Sequence, residues 1–403
     1  MKYVQTTISL YKKNSDAGLL AKIQAAFVGF CYWLANLFFK AAAYFLWPKK
    51  IEVSPKKICV YRVGNIGDII CTIPALIAIR RTYPDAFITL LTSTGRKGIG
   101  AKELIDKAWF IDRLWVYYPA EIKSCRNLIE FITKLRTESF DLWINFPQDR
   151  ISFNTLLRNL LFIKLCKVKK AVGFELSTFT FWPHAQSVVY FFENEVERLA
   201  NLLKRWGVPV SGKIEYNLPI PEKIKESALR IIKENKINSP ILFGLVPGAG
   251  YKANQWPLDN FVEVADSLLR KYPNSQIIIF GGPGDYEKGS FIKNKIKSSS
   301  VINLCGKLSL LENAFIINKL NLVISNNTGL MHMSSLAGIK VIAIFSATEL
   351  DGKWFPYGEN SRVLIKRINC EGCYYRKCSC DYKCIKSITP PEVFEVINIY
   401  LVK

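Results

Sequence analysis

The sequence predicts an α/β protein with two domains, each built on a parallel sheet. Short apolar, β-branched runs alternate with helical stretches along most of the chain, a pattern typical of parallel strands joined by helical crossovers. The 403 residues exceed the usual size of one domain. Pro219, Pro221 and Pro240 bracket a Lys/Glu-rich helix between two such series. This segment is therefore the expected domain boundary.

Composition excludes several classes of protein before any motif is considered. Half of the residues are hydrophobic and 22% are charged, which excludes a disordered chain. The formal net charge is +22, so an anionic partner is expected, and nucleic acid, an acidic membrane face and phosphorylated substrates all qualify. With only His184 and His332 available, mechanisms or metal sites that need several imidazoles are excluded. Chemistry therefore depends on Asp, Glu, Lys, Cys or backbone groups.

The first fifty residues differ from the rest of the chain. Ile23–Phe39 carries no charge and Ala41–Trp47 is again apolar, which is borderline for a membrane span of ~20 residues. One stripe of the helix leaves the remaining surface rich in Phe, Leu and Ile; it contains Lys22, Ala26, Gly29, Trp33, Asn36 and Lys40. We expect a helix lying in a membrane interface, with lysines meeting anionic headgroups: Lys12, Lys13, Lys22, Lys40, Lys49 and Lys50. A buried helix that caps the globular part and a cleaved signal peptide are the alternatives.

The first α/β series begins with a strand at Lys57–Arg62 and a loop at Val63–Asp68. A helix is predicted over Ile69–Thr82, with Pro74 near its first turn or at a kink. Further strands are predicted at Phe87–Thr92, Trp109–Trp115 and Leu142–Phe146, and further helices at Leu128–Thr137 and Glu195–Trp206.

The second series begins with a strand at Ile241–Val246. The strands predicted after it are Gln276–Phe280, Leu322–Ser325 and Lys340–Phe345, and the helices are Leu258–Lys271, Leu310–Leu320 and Gly329–Ala337. In open parallel sheets ligands bind beyond the carboxyl ends of the strands. Functional loops are therefore expected after Arg62, Val246, Phe280, Ser325 and Phe345.

The loop Gly64-Asn65-Ile66-Gly67-Asp68 joins a strand to a helix. Its glycines permit a tight turn and the close approach of a ligand, and Asp68 can present a carboxylate there. The alternative role of Asp68 is that of a helix N-cap. Because the loop is not G-x-G-x-x-G, it does not favour a nicotinamide-dependent dehydrogenase.

Two loops of the second series suit a phosphate-bearing ligand. Gly248, Gly250 and Lys252 follow a strand, and Asn254 and Trp256 precede a helix; a Walker loop is absent. Such glycine-rich turns are also common as purely structural connections between a strand and a helix.

The other loop, after Ser325, runs through Asn327 and Thr328 into a helix that begins at Gly329-Leu330. A helix start with free N–H groups suits a pyrophosphate. His332, in the first helical turn, is either a ligand contact or a structural histidine.

Five cysteines fall within fifteen residues, in the pattern C-x2-C-x4-C-x-C-x3-C. Four thiolates can hold a structural Zn²⁺ in a tetrahedron, and the predicted ligands are Cys370, Cys373, Cys378 and Cys384. Free thiols or a redox pair are the alternatives. Basic residues around them, together with Tyr374 and Tyr375, are typical of a solvated surface more than of a nucleic-acid site.

Over about Lys56–Ile399 the sequence resembles glycosyltransferase family nine, the bacterial heptosyltransferases that use ADP-heptose to extend the inner core of lipopolysaccharide. The resemblance is carried by KICVYRVGNIGDIICTIPALIAIRRTYPDAFITLLT, LVPGAGYKANQWPLDNFVEVADSL, IIIFGGPGD, VISNNTGLMHMSSLAGIKVIAIFSATELDGKWFPYG and the cysteine segment with Ile388-Thr389-Pro390-Pro391-Glu392-Val393. It implies the GT-B fold, two Rossmann-like domains facing a central cleft with a C-terminal helix that crosses back. It also implies inverting sugar transfer. No catalytic metal is required if the helix start and Lys252 carry the charge of the diphosphate.

The resemblance assigns roles to single positions. Asp68 matches the family's Gly-Asp base, which takes the proton of the acceptor hydroxyl, with Arg62, Gly64, Asn65 and Gly67 forming the acceptor-side loop. Thr328 and Gly329 match the Asp-Thr-Gly loop that holds the donor pyrophosphate. The remaining positions predicted on the donor side are Gly248, Gly250, Lys252, Asn254, Trp256, Asn327, Leu330 and His332.

Two positions depart from the family pattern. Asn327 replaces the usual Asp, and Asn254 stands where many members carry Lys, so Lys252 is the candidate substitute. These departures leave open a second hypothesis, a non-catalytic nucleotide-sugar-binding protein on the same scaffold.

The predicted domains are residues 1–50 (membrane-associating), 51–225 (acceptor side), 226–388 (donor side) and 389–403 (a helix returning to the first domain). The predicted partners are a nucleotide sugar, a lipid-linked or lipopolysaccharide-core acceptor and the anionic inner membrane, but no nucleic acid. The expected location is the cytoplasmic face of that membrane.

Overall fold

The computed structural model describes residues 19–48, 50–52, 54–93, 100–148, 151–176, 193–208, 214–349, 352–368, 370–373 and 378–401. The chain divides into two compact units. The amino-terminal unit comprises Asn14–Val188 and Glu195–Pro219, and the carboxyl-terminal unit contains Val189–Asn194 and Ile220–Lys403. The division thus falls six residues earlier than the predicted boundary after residue 225.

The amino-terminal unit contains a five-stranded parallel sheet in the order β3-β2-β1-β4-β5. Its strands are β1 (Lys57–Arg62), β2 (Phe87–Thr92), β3 (Arg113–Val116), β4 (Leu142–Phe146) and β5 (Lys170–Val172). Val60 of the central strand lies beside Leu90 on one side and Ile144 on the other. These apolar side chains are buried, as expected where helices cover both faces of a sheet.

Six helices accompany this sheet: α1 (Leu19–Leu46), α2 (Ile66–Thr82), α3 (Ala101–Ile105), α4 (Cys125–Thr137), α5 (Phe153–Leu165) and α6 (Glu195–Arg205). Helix α2 begins three residues before its predicted start, so Pro74 lies in its interior. Proline there removes one backbone hydrogen bond of the helix.

Helix α1 is part of the amino-terminal unit, whereas the sequence suggested a separate segment. Phe39 and Trp47 are buried in its core, and the Asn36 side chain exchanges hydrogen bonds with the backbone of Leu176 (2.8 and 3.5 Å). The predicted polar stripe is therefore wrong at Asn36, which faces the protein, while Trp33 and Lys40 are exposed. Within the described residues, no helix is long and apolar enough to cross a membrane.

The carboxyl-terminal unit contains a six-stranded parallel sheet in the order β11-β10-β9-β6-β7-β8. The strands are β6 (Ile241–Val246), β7 (Ser275–Ile279), β8 (Val301–Asn303), β9 (Leu322–Asn326), β10 (Val341–Phe345) and β11 (Ser361–Ile365). The helices are α7 (Glu222–Glu234), α8 (Leu258–Lys271), α9 (Tyr286–Ile296), α10 (Leu310–Ile317), α11 (Gly329–Leu336), α12 (Lys383–Lys386) and α13 (Pro390–Leu401). The prediction of two α/β regions with parallel sheets is confirmed.

The last helix packs within the carboxyl-terminal unit, and its return to the first domain stays a prediction. Val393, Val396 and Ile397 of α13 are buried in the core of the carboxyl-terminal unit, where the helix packs on α8 and β10. Their spacing of three and four residues forms one apolar stripe, which that unit covers.

Candidate active site

The carboxyl end of β1 carries a buried guanidinium. Arg62 is fully buried, and its Nη2 donates to Asp68 Oδ1 and to Glu195 Oε1, each at 2.9 Å. Its Nη1 donates to the backbone carbonyl of Pro147, in the loop after β4 (3.2 Å). A buried charge needs such partners, so Arg62 joins two loops at this edge of the sheet.

Asp68 is the third residue of α2 and its carboxylate is held from two sides. Oδ1 accepts from Arg62, and Oδ2 accepts from the backbone N–H of Asn65 at 2.9 Å. Asp68 is thus not the N-cap residue, but it satisfies the N-cap backbone. A Cβ atom at Gly64 would lie 2.3 Å from Asp68 Cβ. Only glycine leaves room for the aspartate in this position.

The Asp68 side chain keeps 18% of its surface exposed, against 0% for Arg62 and 1% for Glu195. Of the three, only Asp68 can meet a substrate. Gly67 lies beside it in the first turn of α2.

Two residues of this cluster escaped the sequence predictions. Glu195 accepts from Arg62 and from Arg198, whose Nε and Nη2 both lie 2.7 Å from its carboxylate oxygens. Arg198 also donates to the Pro147 carbonyl at 3.0 Å. Two arginines and two carboxylates therefore form one charge-balanced cluster. The local signal was the three-residue spacing of Glu195 and Arg198 in a predicted helix.

Four loops meet at the carboxyl edge of the second sheet, as predicted. A Cβ atom at Gly248, after β6, would lie 2.4 Å from the Asp285 carboxylate, which follows β7. Asp285 Oδ1 accepts from Lys288 Nζ at 2.5 Å. Gly250 has open space around its missing side chain, so this part of the loop is accessible.

Asn254 joins the β6 loop to the loop after β10. It is buried, and its Oδ1 accepts from the hydroxyls of Ser346 and Thr348. A lysine ammonium in this place could not accept those hydrogen bonds. Asn254 therefore organises the loop through neutral hydrogen bonds.

The structure corrects the predicted donor contact of Trp256. Its ring is buried against Phe261 in the core, and its Nε1 donates to the Ile388 carbonyl at 2.8 Å. The side chain anchors the loop and does not face a ligand.

The sequence predictions also missed Asn326, the fully buried last residue of β9. Its Nδ2 donates to the Pro247 carbonyl (2.8 Å), and its Oδ1 accepts from the backbone N–H of Trp256 (3.3 Å). One amide side chain thus fixes both ends of the β6 loop.

Helix α11 starts beside this amide. Thr328 is its N-cap, and its Oγ1 accepts from the Met331 N–H at 3.3 Å. Asn327, Thr328, Gly329 and Leu330 are all partly exposed. A half-open helix start is suited to an anion.

His332 is buried, and its ring lies edge-on to Trp354, with the centroids 6.1 Å apart. Lys353, also buried, holds its ammonium 5.6 Å from the Trp354 ring centroid. The predicted cation Lys252 is exposed and lies 5.6 Å from the Tyr382 ring centroid. Lys353 was not predicted, although it follows β10 at the expected edge of the sheet.

The cysteines of the 370–384 segment influence one another. Burial raises the pKa of the Cys370 thiol, as do the neighbouring thiols of Cys380, Cys373 and Cys384. Burial also raises the pKa of Cys384, with a further contribution from Cys378 and Cys373. Among the described residues, however, no three Cys, His, Asp or Glu side chains are arranged to hold a metal ion. The structural zinc stays a prediction.

Several basic residues near these cysteines form ion pairs with acidic residues of the same chain. Lys366 pairs with Glu392, Arg367 with Glu371 (2.9 Å) and Lys386 with Asp381 (2.8 Å). Partnered cations are less available to nucleic-acid phosphates. Arg376 and Lys377 lie outside the described residues.

The sequence is similar to a family of known proteins. Residues 128–384 match the model of glycosyltransferase family 9 (heptosyltransferase). Lipooligosaccharide heptosyltransferase 2 of Campylobacter jejuni is 24% identical over 347 residues, which cover 85% of this chain and 98% of that protein. Lipopolysaccharide heptosyltransferase 2 of Escherichia coli is 25% identical over 174 residues, 40% of this chain and 47% of that protein.

Two solved structures share the fold. The family 9 glycosyl transferase of Veillonella parvula superposes with a TM-score of 0.69 at 23% identity, covering 88% of this chain and 99% of that one. The Escherichia coli ADP-heptose heptosyltransferase II gives 0.61 at 19% identity, with coverages of 86% and 98%.

Proposed function

Because the chain belongs to glycosyltransferase family 9, we propose that this glycosyltransferase moves a heptose or a related sugar from a nucleotide-sugar donor to a lipopolysaccharide core or related glycolipid, with ADP-heptose as the proposed donor. The names of the relatives support the sugar and the acceptor. The observation that carries the proposal is the partly exposed Asp68 carboxylate, oriented by the buried Arg62.

In the proposed reaction, Asp68 accepts the proton of an acceptor hydroxyl as that oxygen attacks the anomeric carbon of the donor. A carbon–oxygen bond forms on one face, and the bond to the diphosphate breaks on the other, so the configuration inverts. The ion pair with Arg62 fixes the direction of the carboxylate.

The departing diphosphate carries negative charge, and its proposed site is the start of α11. Thr328, Gly329 and Leu330 supply the helix terminus, while Asn327 and Asn254 add no negative charge that would repel the ligand. Lys252 is the predicted cation, and the buried Lys353 is a second candidate. With these groups the proposed mechanism needs no catalytic metal.

The test is transfer from ADP-heptose to a purified core acceptor, followed by mass spectrometry. We expect the acceptor to gain the mass of one heptose. Asp68→Asn should lower kcat by about 10²–10⁴-fold, the usual contribution of a general base. Asp85→Asn, an exposed aspartate of the same unit, is the matched control and should retain activity. Normal transfer by Asp68→Asn would contradict the assignment of the base.

A non-catalytic nucleotide-sugar-binding protein is the second candidate, and the uncharged Asn327 and Asn254 favour it. Calorimetry across a panel of nucleotide sugars distinguishes the two. Tight binding without turnover on any core acceptor would support the second candidate, whereas turnover would exclude it.

We place the proposed reaction at the cytoplasmic face of the inner membrane, where a lipid-linked acceptor is held. The net charge of +22 supports attraction to an anionic surface.

We also keep a structural zinc at Cys370, Cys373, Cys378 and Cys384 as a proposal, supported by the spacing of the cysteines in the sequence. Elemental analysis of protein purified under reducing conditions without chelator should find about one zinc per chain, since one tetrahedral site uses four thiolates. A zinc content near zero would leave free thiols or a redox pair.

A further inference from the structure

Helix α1 has two faces of unexpected character. Among the described side chains, the face packed on the amino-terminal unit is mostly small or polar, with Ala35, Asn36, Ala42 and Ala43 beside Phe39 and Leu46. The face turned away carries large apolar side chains that are about half exposed or more: Phe27, Phe30, Trp33, Leu37, Tyr44 and Phe45. A helix on a water-exposed surface normally has the reverse arrangement.

The exposed side chains form one continuous strip. Positions 27, 30, 34, 37, 41 and 44 are all exposed and follow each other at alternating intervals of three and four residues. Such positions share one side of a helix. We call this strip the outer face of α1. An apolar strip of this length is typical of an interaction surface.

Helix α5 packs beside α1 and extends the apolar surface. Phe38 and Phe39 of α1 contact Phe153 of α5, and α5 exposes Leu161 and Leu165. Lysine side chains accompany this surface. Lys40 and Lys164 are exposed, and Lys164 Nζ donates to the Leu46 carbonyl at 2.7 Å. Helix α1 contains no acidic residue.

We infer that the outer face of α1 binds an anionic lipid bilayer, with the helix lying in the headgroup region along its whole length. The inference rests on the membrane partner in the proposed function and names the surface that meets it. Apolar and aromatic side chains enter the boundary of the acyl chains, and the lysines meet lipid phosphates. Trp and Tyr, which favour this boundary, are both present, as Trp33 and Tyr44.

The packing of α1 sets its orientation on the bilayer. Asn36, Phe39 and Trp47 tie the opposite side of the helix to the amino-terminal unit. The helix can therefore enter the lipid only sideways, to the depth of its outer side chains. In consequence the whole amino-terminal unit, with Asp68, would be held close to the membrane surface.

Charge favours lipid over a second copy of the chain as the occupant. A two-fold dimer through the outer face would bring together two identical surfaces that carry lysines and, on α1, no acid. Like charges across an interface oppose association. Phospholipid headgroups with a net negative charge supply the missing counter-charge.

The experiment is cosedimentation of the full-length protein with vesicles of phosphatidylcholine alone or with added phosphatidylglycerol. The double variant Phe30→Glu/Leu37→Glu places carboxylates on the outer face. Its control, Ile399→Glu/Leu229→Glu, changes side chains of matched exposure in the carboxyl-terminal unit: 53% and 49% for the control, 54% and 48% for the test pair. Circular dichroism checks that both variants are folded.

We expect the wild type and the control to bind the anionic vesicles. The test variant should bind at least about tenfold more weakly, because two buried apolar contacts are replaced by charges. Lys40→Gln should weaken binding to the anionic vesicles only. Trp33 should report the contact directly: its fluorescence should shift to the blue on binding, and Trp33→Phe should lose that part of the shift.

Equal binding by the test variant and wild type would overturn the inference, as would equal weakening in the control. A wild-type dimer that the test variant dissociates, without vesicle binding, would assign the outer face to a second copy instead. Sugar transfer is measured separately with a water-soluble core acceptor. Vesicle binding without transfer would refute the proposed reaction alone, and transfer without vesicle binding would refute this inference alone.

Discussion

The loops at the ends of the two sheets are tied together by different kinds of interaction. At the edge of the amino-terminal sheet, Arg62, Asp68, Glu195 and Arg198 form a cluster of full charges. At the edge of the carboxyl-terminal sheet, Asn326 and Asn254 tie the β6 loop to its neighbours through amides, hydroxyls and backbone groups. Similar α/β topology thus supports two different kinds of site.

The difference matches two tasks in the proposed reaction. A base needs a charged carboxylate held in a fixed direction, and a buried arginine provides this. A diphosphate needs donors and a helix start without competing negative charge. The stability lost on removal of one side chain should also differ between the two clusters. Loss of one partner from a buried ion pair leaves a charge uncompensated, which costs more than the loss of a neutral hydrogen bond.

The largest effect on stability is expected at Arg62. Arg62→Met removes the buried cation that bridges Glu195 and Asp68, leaves Arg198 as the described partner of Glu195, and should lower the free energy of unfolding by about 3–5 kcal/mol, measured by urea denaturation. Arg81→Met is the control, because its ion pair with Glu215 is exposed, and it should change stability by less than about 1 kcal/mol. If Arg62→Met and Arg81→Met lowered the free energy of unfolding equally, the buried ion pairs of the Arg62 cluster would have no special role in stability.

The neutral cluster is tested by Asn326→Leu. This change leaves the Pro247 carbonyl and the Trp256 N–H without their partner, each worth about 1–3 kcal/mol when buried. We expect a loss of about 2–3 kcal/mol in the free energy of unfolding and weaker donor binding, because the β6 loop is released. Asn238→Leu, at an exposed position of the same unit, should be nearly neutral. A stable Asn326→Leu with unchanged donor affinity would show that the amide does not organise the loop.

The reliance of the amino-terminal unit on charge extends to the other end of its sheet. Burial tends to raise the pKa of the Asp141 carboxyl, but the ion pair with Lys169 and the N–H groups of Lys57 and Lys56 outweigh it, so the pKa is lowered from 3.8. A carboxyl with a lowered pKa stabilises the fold fully above its unfolded pKa, and this contribution is lost progressively as the pH falls from there through the lower pKa of the folded state. Asp141→Asn should therefore cost about 2 kcal/mol at pH 6 and much less at pH 3.

Urea denaturation at the two pH values checks this, with the exposed Asp106→Asn as control. A cost that stays constant between pH 6 and pH 3 would mean that the charge of Asp141 is unimportant.

The smallest effect on stability is expected at the start of α11. Thr328→Ala removes an N-cap and should cost about 1 kcal/mol. Ser309→Ala removes the equivalent cap of α10, where the hydroxyl accepts from the Glu312 N–H at 3.3 Å, and should cost a similar amount. Only Thr328→Ala should also weaken binding of the nucleotide sugar in calorimetry. Equal donor affinity in both variants would remove the α11 start from the proposed diphosphate site.

Local patterns were sufficient to predict much of this molecule. The strands β1, β2, β4 and β6 lie where the apolar runs placed them, because each run is long and bounded by turn residues. The three-residue strands β5 and β8 escaped prediction, since so short a segment has no periodicity to detect. The Asp68 and Thr328 loops could be located in the sequence because each strand–loop–helix junction consists of consecutive residues: an apolar strand, a loop with glycine or polar residues, and a helix.

The partners of those loops could not be predicted in this way. Glu195 lies 133 positions from Arg62, and Asn326 lies 70 positions from Trp256. Such contacts arise only when strands distant in sequence become neighbours in a sheet. Trp256 was assigned to the donor site because it adjoins the loop in sequence, while the fold turns its ring into the core.

Gly64 and Gly248 each lie directly against the carboxylate of another residue. In each unit a carboxylate fills the place where a side chain of the preceding loop would stand: Asp68 at Gly64 and Asp285 at Gly248. A single methyl group at either glycine would therefore displace an acid while leaving its chemical identity and the net charge of the protein intact. Gly64 and Asp68 thus form one structural unit rather than two independent positions. A substitution at Gly64 would change the position of the Asp68 carboxylate without changing Asp68 itself.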